Sequence, residues 1–193
     1  ANFIISSPSI SCPTDITQNV DSGFCSASVV TQNPIIGDNC FISKLTWALT
    51  GATTGTSPTT GNNYLGTQVF NKGITAVTYS ASDAAGNIET CSYTVTVVDN
   101  QAPTITCPAN ISVNNTPGTC GAAVTYTTPV GTDNCSGATT TQTAGLASGA
   151  TFPVGTTTNT FEVTDAAGNK TSCSFTVTVV DNQAPTITCP ANI

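Results

Sequence analysis

The chain repeats itself, and the repeat fixes how many domains it can form. Residues 95–111 and residues 177–193 both read VTVVDNQAPTITCPANI. This repeat predicts a first domain at residues 1–98, a second at residues 99–180 and the beginning of a third at residues 181–193. Because duplicated arrays are usually long, we expect the chain to be a segment of a longer array.

The cysteines follow the same repeat, and they differ between the copies at one point. The two sets are Cys12, Cys25, Cys40, Cys91 and Cys107, Cys120, Cys135, Cys173, and Cys189 opens a third. The first two spacings are 13 and 15 residues in both sets, but the third is 51 residues in the first and 38 in the second. The difference predicts an insertion in the first repeat, at about residues 48–65.

Apolar and polar residues alternate along most of the chain. In the segment 174–179 the apolar side chains point one way and the hydroxyls the other. This period of two is typical of half-buried antiparallel strands. We expect strands near 104–113, 122–128, 138–144, 157–164 and 172–180, with one or two short ones around 146–153. The predicted fold class is all-β, as tandem immunoglobulin-like antiparallel β-sandwiches stapled by disulfides.

The composition excludes several classes of partner and activity. The net charge is −7, with three lysines, no arginine and no histidine. Nucleic acids and anionic membranes need clustered basic residues, so neither is an expected partner, and no apolar run is long enough for membrane insertion. Without histidine, and with Glu89 and Glu162 as lone glutamates, no catalytic arrangement is expected and the chain is predicted not to be an enzyme.

Nine cysteines in 193 residues indicate disulfides rather than a metal site. No Cys-x-x-Cys pair occurs, and no histidine is present to share a metal ion. Disulfides form and persist in oxidising compartments. We therefore expect the chain to be extracellular, at the cell surface.

Three segments carry a resemblance to a known family. The segments 152–157, 164–169 and 173–179 read FPVGTT, TDAAGN and CSFTVTV, and the opening segment 104–111 reads TITCPANI. They resemble the HYR (hyalin repeat) domain, although Asn71-Lys72 replaces Pro-Val in the first repeat. The resemblance implies immunoglobulin-like sandwiches strung in tandem in extracellular adhesion proteins. Threonine-rich repeats with four cysteines also resemble giant adhesins of gliding bacteria.

The resemblance also implies part of the disulfide pairing. Family members with two cysteines keep those that match Cys107 and Cys173, which implies Cys107–Cys173 and Cys12–Cys91 bonds. The leftover pairs would be Cys120–Cys135 and Cys25–Cys40. A straight strand between Cys120 and Cys135 would hold them more than about 20 Å apart, too far for a disulfide. Either the intervening loop folds back, or Cys120 reaches across to the next repeat and locks the array covalently.

Three aspartates recur in register: Asp38 with Asp133, Asp83 with Asp165, and Asp99 with Asp181. On a sandwich, Asp99, Asp133 and Asp165 should converge at the junction between repeats, where Asn100 and Asn134 could add carbonyl oxygens. Such oxygen ligands suit Ca²⁺. The linker 98–103 also resembles that of cadherins, but the further carboxylates that cadherins supply are missing. The alternative is that these aspartates only form Asx-turns.

These observations lead to two functional hypotheses. The first is a structural repeat segment of an extracellular filament or stalk-like adhesin, which mediates surface adhesion and supports gliding motility. Its expected partners are neighbouring repeats, surface polysaccharide or other cell-surface proteins, and further copies in a filament. The second is a carbohydrate-binding module whose ligand site lies at the insertion, where Trp47 and Tyr64 could stack on sugars.

Overall fold

The computed structural model describes residues 6–189, so the last residues of the predicted third repeat, 190–193, lie outside the described part. The chain divides into two compact units, Ala1–Gln101 and Ala102–Ile193, called repeat 1 and repeat 2 below. No helix occurs among the described residues, and none of them forms an apolar helix that could span a membrane.

The strands of repeat 1 are β1 Ser9–Ser11, β2 Ile16–Asn19, β3 Ser26–Val30, β4 Ile35–Gly37, β5 Ile42–Gly51, β6 Gly55–Thr56, β7 Thr67–Asn71, β8 Gly73–Asp83 and β9 Ile88–Val98. Those of repeat 2 are β10 Ile111–Asn114, β11 Gly121–Ala123, β12 Thr139–Ala144, β13 Thr151–Pro153, β14 Gly155–Thr164 and β15 Lys170–Val180.

Repeat 1 is a sandwich closed over one core. One face is a five-stranded sheet in the order β2-β9-β8-β5-β6, and the pairs β3–β7 and β1–β4 form the other face. From Thr75 to Ala81 on β8 every second side chain is buried, so Val77 and Tyr79 point into the core. Phe70 on β7 and Val29 on β3 belong to the same buried cluster. The alternation seen in the sequence therefore produces the two facing layers.

Repeat 2 has the same plan with fewer strands. Its larger sheet runs β10-β15-β14-β12, and the facing pair is β11–β13. Phe161 on β14 and Phe175 on β15 stack with ring centroids 6.4 Å apart, and Tyr126 meets Phe175 edge-on at 4.9 Å. Phe152 on β13 is fully buried among them. The predicted class of disulfide-stapled all-β sandwiches is confirmed.

One pairing in each repeat is parallel, which the alternation pattern did not predict. Strand β2 runs parallel to β9, and β10 runs parallel to β15. The first strand of the larger sheet thus points the same way as the last. Chain entry and chain exit therefore lie at opposite ends of each repeat.

The predicted strand at 104–113 forms only in part. Thr104 makes an isolated bridge to Thr132, and regular pairing begins at Ile111. Pro103 and Pro108 have no N–H to give to a ladder, which explains the gap.

The predicted strand at 122–128 is also shorter, and it ends at Ala123. Beyond that point Tyr126 bonds to the Ser148 side chain instead of a strand partner. The backbone beyond Ala123 therefore finds its hydrogen bonds in a loop.

Each repeat has two ends that matter below. The N-terminal end of repeat 2 holds Thr104, Thr132 and the turn 165–169, and its C-terminal end holds Val180 and the segment 115–121. In repeat 1 the N-terminal end holds β1, β4 and the turn 84–87, and the C-terminal end holds Val98 and the segment 20–25. An 11-residue strand, β9 or β15, joins the two ends and spans about 33 Å.

Candidate functional site

The turn at the N-terminal end of each repeat is built around a buried aspartate. Asp165 Oδ1 accepts hydrogen bonds from the amides of Ala167 at 2.9 Å and Asn169 at 2.8 Å, and its Oδ2 accepts one from Asn169 Nδ2 at 2.8 Å. In repeat 1, Asp83 accepts the same two bonds from Asn87. These bonds are those of an Asx-turn that closes the loop before the last strand.

The same hydrogen bonds keep both carboxyl groups ionised. For Asp165, burial raises the pKa, but the bonds from Asn169 and the turn amides outweigh it and leave the pKa below its ordinary value. For Asp83, the side-chain bond from Asn87 is the main cause of a lowered pKa. Turn closure accounts for the oxygens of Asp165, so this residue has little to offer a metal ion.

The second recurring aspartate also forms a turn, but it leaves one oxygen over. Asp133 Oδ2 accepts a bond from the amide of Cys135 at 2.9 Å, and Asp38 Oδ2 accepts one from the amide of Cys40 at 3.2 Å. In each case the other oxygen is buried with no hydrogen-bond partner among the described residues. A buried carboxylate oxygen without a donor is costly, so this position is the one in the set that a cation would favour.

The third recurring aspartate behaves differently in the two repeats. In repeat 1, Asp99 is buried and its Oδ2 lies 3.4 Å from Lys72 Nζ. In repeat 2, Asp181 is exposed and Val154 occupies the position of Lys72. Lys72 therefore supplies a positive charge to Asp99 that Asp181 does not receive from repeat 2.

The remaining residues of the predicted calcium set are two asparagines. Asn100 is exposed, and Asn134 donates to Cys135 Sγ at 3.7 Å. Within either repeat taken alone, no three His, Cys, Asp or Glu side chains of the described part converge to hold a metal ion. The contacts within each repeat thus explain Asp99 by an ion pair and Asp165 by turn closure, and Asp133 only in part.

Sequence reasoning missed the role of the glutamine in the linker. Gln101 Oε1 accepts the amide of Gly23 at 3.0 Å, and Gln101 Nε2 donates to Asp21 O at 2.9 Å. In repeat 2, Gln183 Oε1 accepts the amide of Gly118 in the same way at 3.0 Å. The signal was present, because Asp-Asn-Gln-Ala-Pro recurs in both linkers. This glutamine ties the start of the linker to the C-terminal end of its own repeat.

In each repeat one disulfide joins the first and last parts, as the family resemblance implied. Cys12 is bonded to Cys91 and Cys107 to Cys173, with Cα atoms 5.6 and 5.7 Å apart. Both bonds attach the incoming chain to the last strand of the larger sheet. This part of the predicted pairing is confirmed.

The prediction for the leftover pairs is wrong. Cys40 and Cys120 are free and exposed, so neither Cys25–Cys40 nor Cys120–Cys135 forms. The reason is distance, because in each repeat one cysteine lies at the C-terminal end and the other at the N-terminal end, about 33 Å away. Cys25 and Cys135 are themselves disulfide-bonded, and Cys189 is free and exposed.

The insertion forms a cover on the edge of the larger sheet of repeat 1. Strand β6 pairs with β5, and Asn62 bridges to Leu45 farther along the same strand. Asn63 Nδ2 lies within 3.0–3.3 Å of four carbonyl oxygens, those of Leu45, Pro58, Thr60 and Gly61, which fixes the loop. The outer edge of β5 is therefore covered, whereas β12 is the edge strand of the corresponding sheet in repeat 2.

The insertion also shapes a cleft on the outer face of the sheet. The cleft has a volume of about 290 Å³ and is lined by Lys44, Trp47, Thr56, Ser57, Thr59 and Ser80, among others. Trp47 is half-buried and packs against the core of repeat 1. Tyr64 is 46% exposed but does not line the cleft. Of the two predicted sugar-stacking residues, only Trp47 contributes to this surface.

Comparisons with known proteins agree with the architecture. The HYR domain model matches residues 5–97 and 98–179. The chain is similar to hyalin of Strongylocentrotus purpuratus, with 36% identity over 96% of this chain and 15% of that protein. It is similar to a serine-rich adhesin for platelets of Staphylococcus aureus, with 32% identity over 79% of this chain and 7% of the adhesin.

The solved structures to which the chain is similar include cadherin and immunoglobulin repeats. Drosophila N-cadherin EC1-4 overlaps 91% of this chain and 50% of its own, at 12% identity and a TM-score of 0.41. The four N-terminal immunoglobulin domains of Dscam1 overlap 91% of this chain and 46% of their own, at 14% identity and a TM-score of 0.38.

The chain spans a minor part of the relatives it matches, 15% and 32% of two hyalins. The stapling disulfides and the adhesin relative are consistent with one location, and the chain is extracellular, at the cell surface. Because the domain model covers both repeats almost completely, the chain belongs to the HYR domain family.

Proposed function

We propose that the chain is a load-bearing repeat segment of an extracellular filament or stalk-like adhesin, and not an enzyme. The observation that carries the proposal is the position of the disulfides. A pull on the incoming chain of repeat 2 reaches Cys107 and crosses the disulfide directly to Cys173 on the last strand. The 65 residues between them stay outside the load path. A module built in this way transmits tension without unravelling.

The parallel pairing supports the same proposal. Strand β10 runs alongside β15 from Ile111–Val177 to Asn114–Val180, and β2 runs alongside β9 in the same sense. Both β10 and β2 lie inside the disulfide-closed loops, so they carry no load while the disulfides are intact. If a disulfide is reduced, tension shears these hydrogen bonds together instead of opening them one at a time, because chain entry and exit lie at opposite ends. The test is to pull single molecules by their ends and measure the extension released when each sandwich unfolds.

Adhesion is the general function that we propose, and the similarity to an adhesin supports it. Gliding motility is a finer form of the proposal, in which a cell moves while such a filament grips a surface. It rests on the resemblance of these threonine-rich repeats to adhesins of gliding bacteria. Deleting the repeats from the native protein tests this proposal, because the cells should then lose both attachment and surface movement. Cells that keep both would contradict it.

Self-association into filaments is a further part of the proposal. Strand β12 is the edge of its sheet, and five of its six residues are exposed. Repeat 1 covers the corresponding edge with its insertion. An open edge is a template for another strand. Sedimentation at rising concentration tests this idea, with Thr141→Pro as the variant that should stay monomeric.

Carbohydrate binding by repeat 1 is the alternative proposal. The cleft beside Trp47 supports it, because hydroxyl and lysine side chains surround an aromatic ring there. A glycan array that compares the chain with Trp47→Ala and with Tyr64→Ala separates the residues. Signal lost with Trp47→Ala alone supports the cleft as the ligand site, and no signal from any form leaves only the structural role.

Calcium binding at the repeat junction is a more specific proposal. The recurrence of the aspartates and the partnerless Oδ1 of Asp133 favour it, whereas Lys72 beside Asp99 and the closed turn of Asp165 weigh against it. Thermal melts with calcium and with chelator test it, beside an Asp99→Ala/Asp133→Ala double variant. A midpoint raised by calcium in the parent only supports the ion, and coincident curves exclude it.

A further inference from the structure

Lys44 supplies the positive charge of the cleft on the outer face of repeat 1. The next residue on β5, Leu45, is buried in the core, so Lys44 and Thr46 point to the outer face. Strand β8 alternates in the same way and presents Thr78 and Ser80 beside them. All four of these outward residues line the cleft. Its sheet side therefore consists of one ammonium group among hydroxyls.

Lys44 differs from the other two lysines of the chain in having no carboxylate beside it. Lys72 lies 3.4 Å from Asp99, and Lys170 lies 2.7 Å from Glu162. Lys44 forms no ion pair with any residue that the structure describes. The chain as a whole has a net charge of −7, so this cleft combines a positive charge with an otherwise acidic protein.

Several hydroxyls around Lys44 are available to a ligand. Ser57 Oγ is already occupied, because it accepts a hydrogen bond from the Trp47 amide at 3.0 Å. The side-chain hydroxyls of Thr59, Thr78 and Ser80 form no hydrogen bond with another residue in the described part of the chain. Each hydroxyl can donate one hydrogen bond and accept two. The cleft thus offers donors and acceptors for sugar hydroxyls next to a cation.

Repeat 2 carries a different charge pattern on the corresponding face. The strand registers place Glu162 where repeat 1 has Ser80, and Thr139 where it has Lys44. Lys170 lies against Glu162 and pairs with its charge. Repeat 2 therefore has a paired carboxylate and no covering insertion at the place where repeat 1 has an unpaired ammonium group.

We infer that the cleft binds an acidic polysaccharide, and that Lys44 contacts the anionic substituent, a carboxylate or a sulfate on the sugar. The inference rests on the alternative proposal that repeat 1 binds carbohydrate, and it adds the charge of the ligand. An ammonium group forms a charge-assisted hydrogen bond with an anion, which is roughly twice as strong as a bond between neutral groups. The hydroxyls of Thr59 and Ser80 bind the hydroxyls of the same sugar.

Titration of the intact chain with charged and uncharged oligosaccharides tests the inference. The probes are a short oligogalacturonate with its methyl ester, and a sulfated oligosaccharide with its desulfated form. In at least one pair the charged form should bind about tenfold more tightly than the uncharged form. Equal binding within both pairs overturns the contact with Lys44 and leaves carbohydrate binding in place. If none of the probes binds while neutral glycans do, the inference alone fails, and if no glycan binds, both proposals fail.

Variants locate the contact within repeat 1. Lys44→Met should weaken binding of the charged probe about tenfold and leave the uncharged form unchanged, whereas Lys44→Arg should keep the preference. Ser80→Glu places the residue of repeat 2 beside Lys44 and should also remove the preference. The matched control is Lys170→Met, which removes the same charge from repeat 2 and should change nothing. Amide NMR spectra show that each variant is folded, and an equal loss with Lys170→Met refutes a contact with Lys44.

Discussion

The placement of the stapling disulfides predicts how far each repeat can lengthen under force. The perturbation is the double substitution Cys107→Ala/Cys173→Ala, which removes the staple of repeat 2 and keeps that of repeat 1. Both variant and parent carry serine at the other five cysteines, so that no additional disulfide complicates the load path. The matched control is Cys12→Ala/Cys91→Ala, which opens repeat 1 instead.

The expected extension follows from the chain between the bonded cysteines. Cys107 and Cys173 are 66 residues apart in sequence, which corresponds to about 240 Å of extended chain at about 3.6 Å per residue. In the folded state their Cα atoms are 5.7 Å apart, so almost all of that length is hidden. For Cys12 and Cys91 the separation of 79 residues gives about 280 Å.

The parent should release almost none of this length. The load-bearing part of repeat 2 outside the staple includes residues 173–180 of β15, which are already extended in the sheet. Removing the staple also raises the conformational entropy of the unfolded chain, which lowers the stability of the repeat by about 4 kcal/mol in the chain-entropy model. The opened repeat should therefore unfold at lower force and lengthen much more.

The assay is single-molecule force spectroscopy with handles at both termini. The parent should show no long step, the repeat 2 variant one step of about 240 Å, and the repeat 1 variant one step of about 280 Å. Adding reductant to the parent should produce both steps in the same molecule. Long steps in the parent without reductant, or none in the variants, would falsify the load path described for the staples.

Three further predictions concern stability. Phe152→Ala empties a fully buried position and should lower the free energy of unfolding by about 3–5 kcal/mol, measured by denaturant unfolding with the disulfides intact. The exposed Val154 is the control, and Val154→Ala should lower it by less than about 0.5 kcal/mol. Equal losses would contradict the packing. Because the pKa of Asp165 is lowered on folding, its stabilising effect should be full above the unfolded value of about 3.9 and lost as the pH falls through the lower folded value. Asp165→Asn should therefore flatten the acid limb of a stability–pH curve, and an unchanged limb counts against the Asx-turn. Gln101→Ala should speed hydrogen exchange at the Gly23 amide, which loses its side-chain acceptor, and unaltered exchange there would show that the linker is held in another way.

Much of the fold could be predicted from local sequence because it is periodic. The alternation along 157–164 and 172–180 corresponds to β14 and β15 within two residues at each end. Side chains on a strand must alternate between core and solvent, and that requirement is visible in any single strand. The ends of β10 and β11 were harder to predict from the sequence, because proline placement and the loop at Ser148 decide where strand pairing begins and stops.

The cysteines separate what each level of structure determines. The sequence determined that two sets exist in register, and the family resemblance assigned the staples. Only the tertiary structure placed Cys25 and Cys40 at opposite ends of one sandwich, because strand direction across the sheet decides which turns are neighbours. The same reason applies to the aspartates, whose recurrence was visible in the sequence. Whether a carboxylate is occupied by Lys72, by turn amides or by nothing depends on contacts between residues distant in the chain.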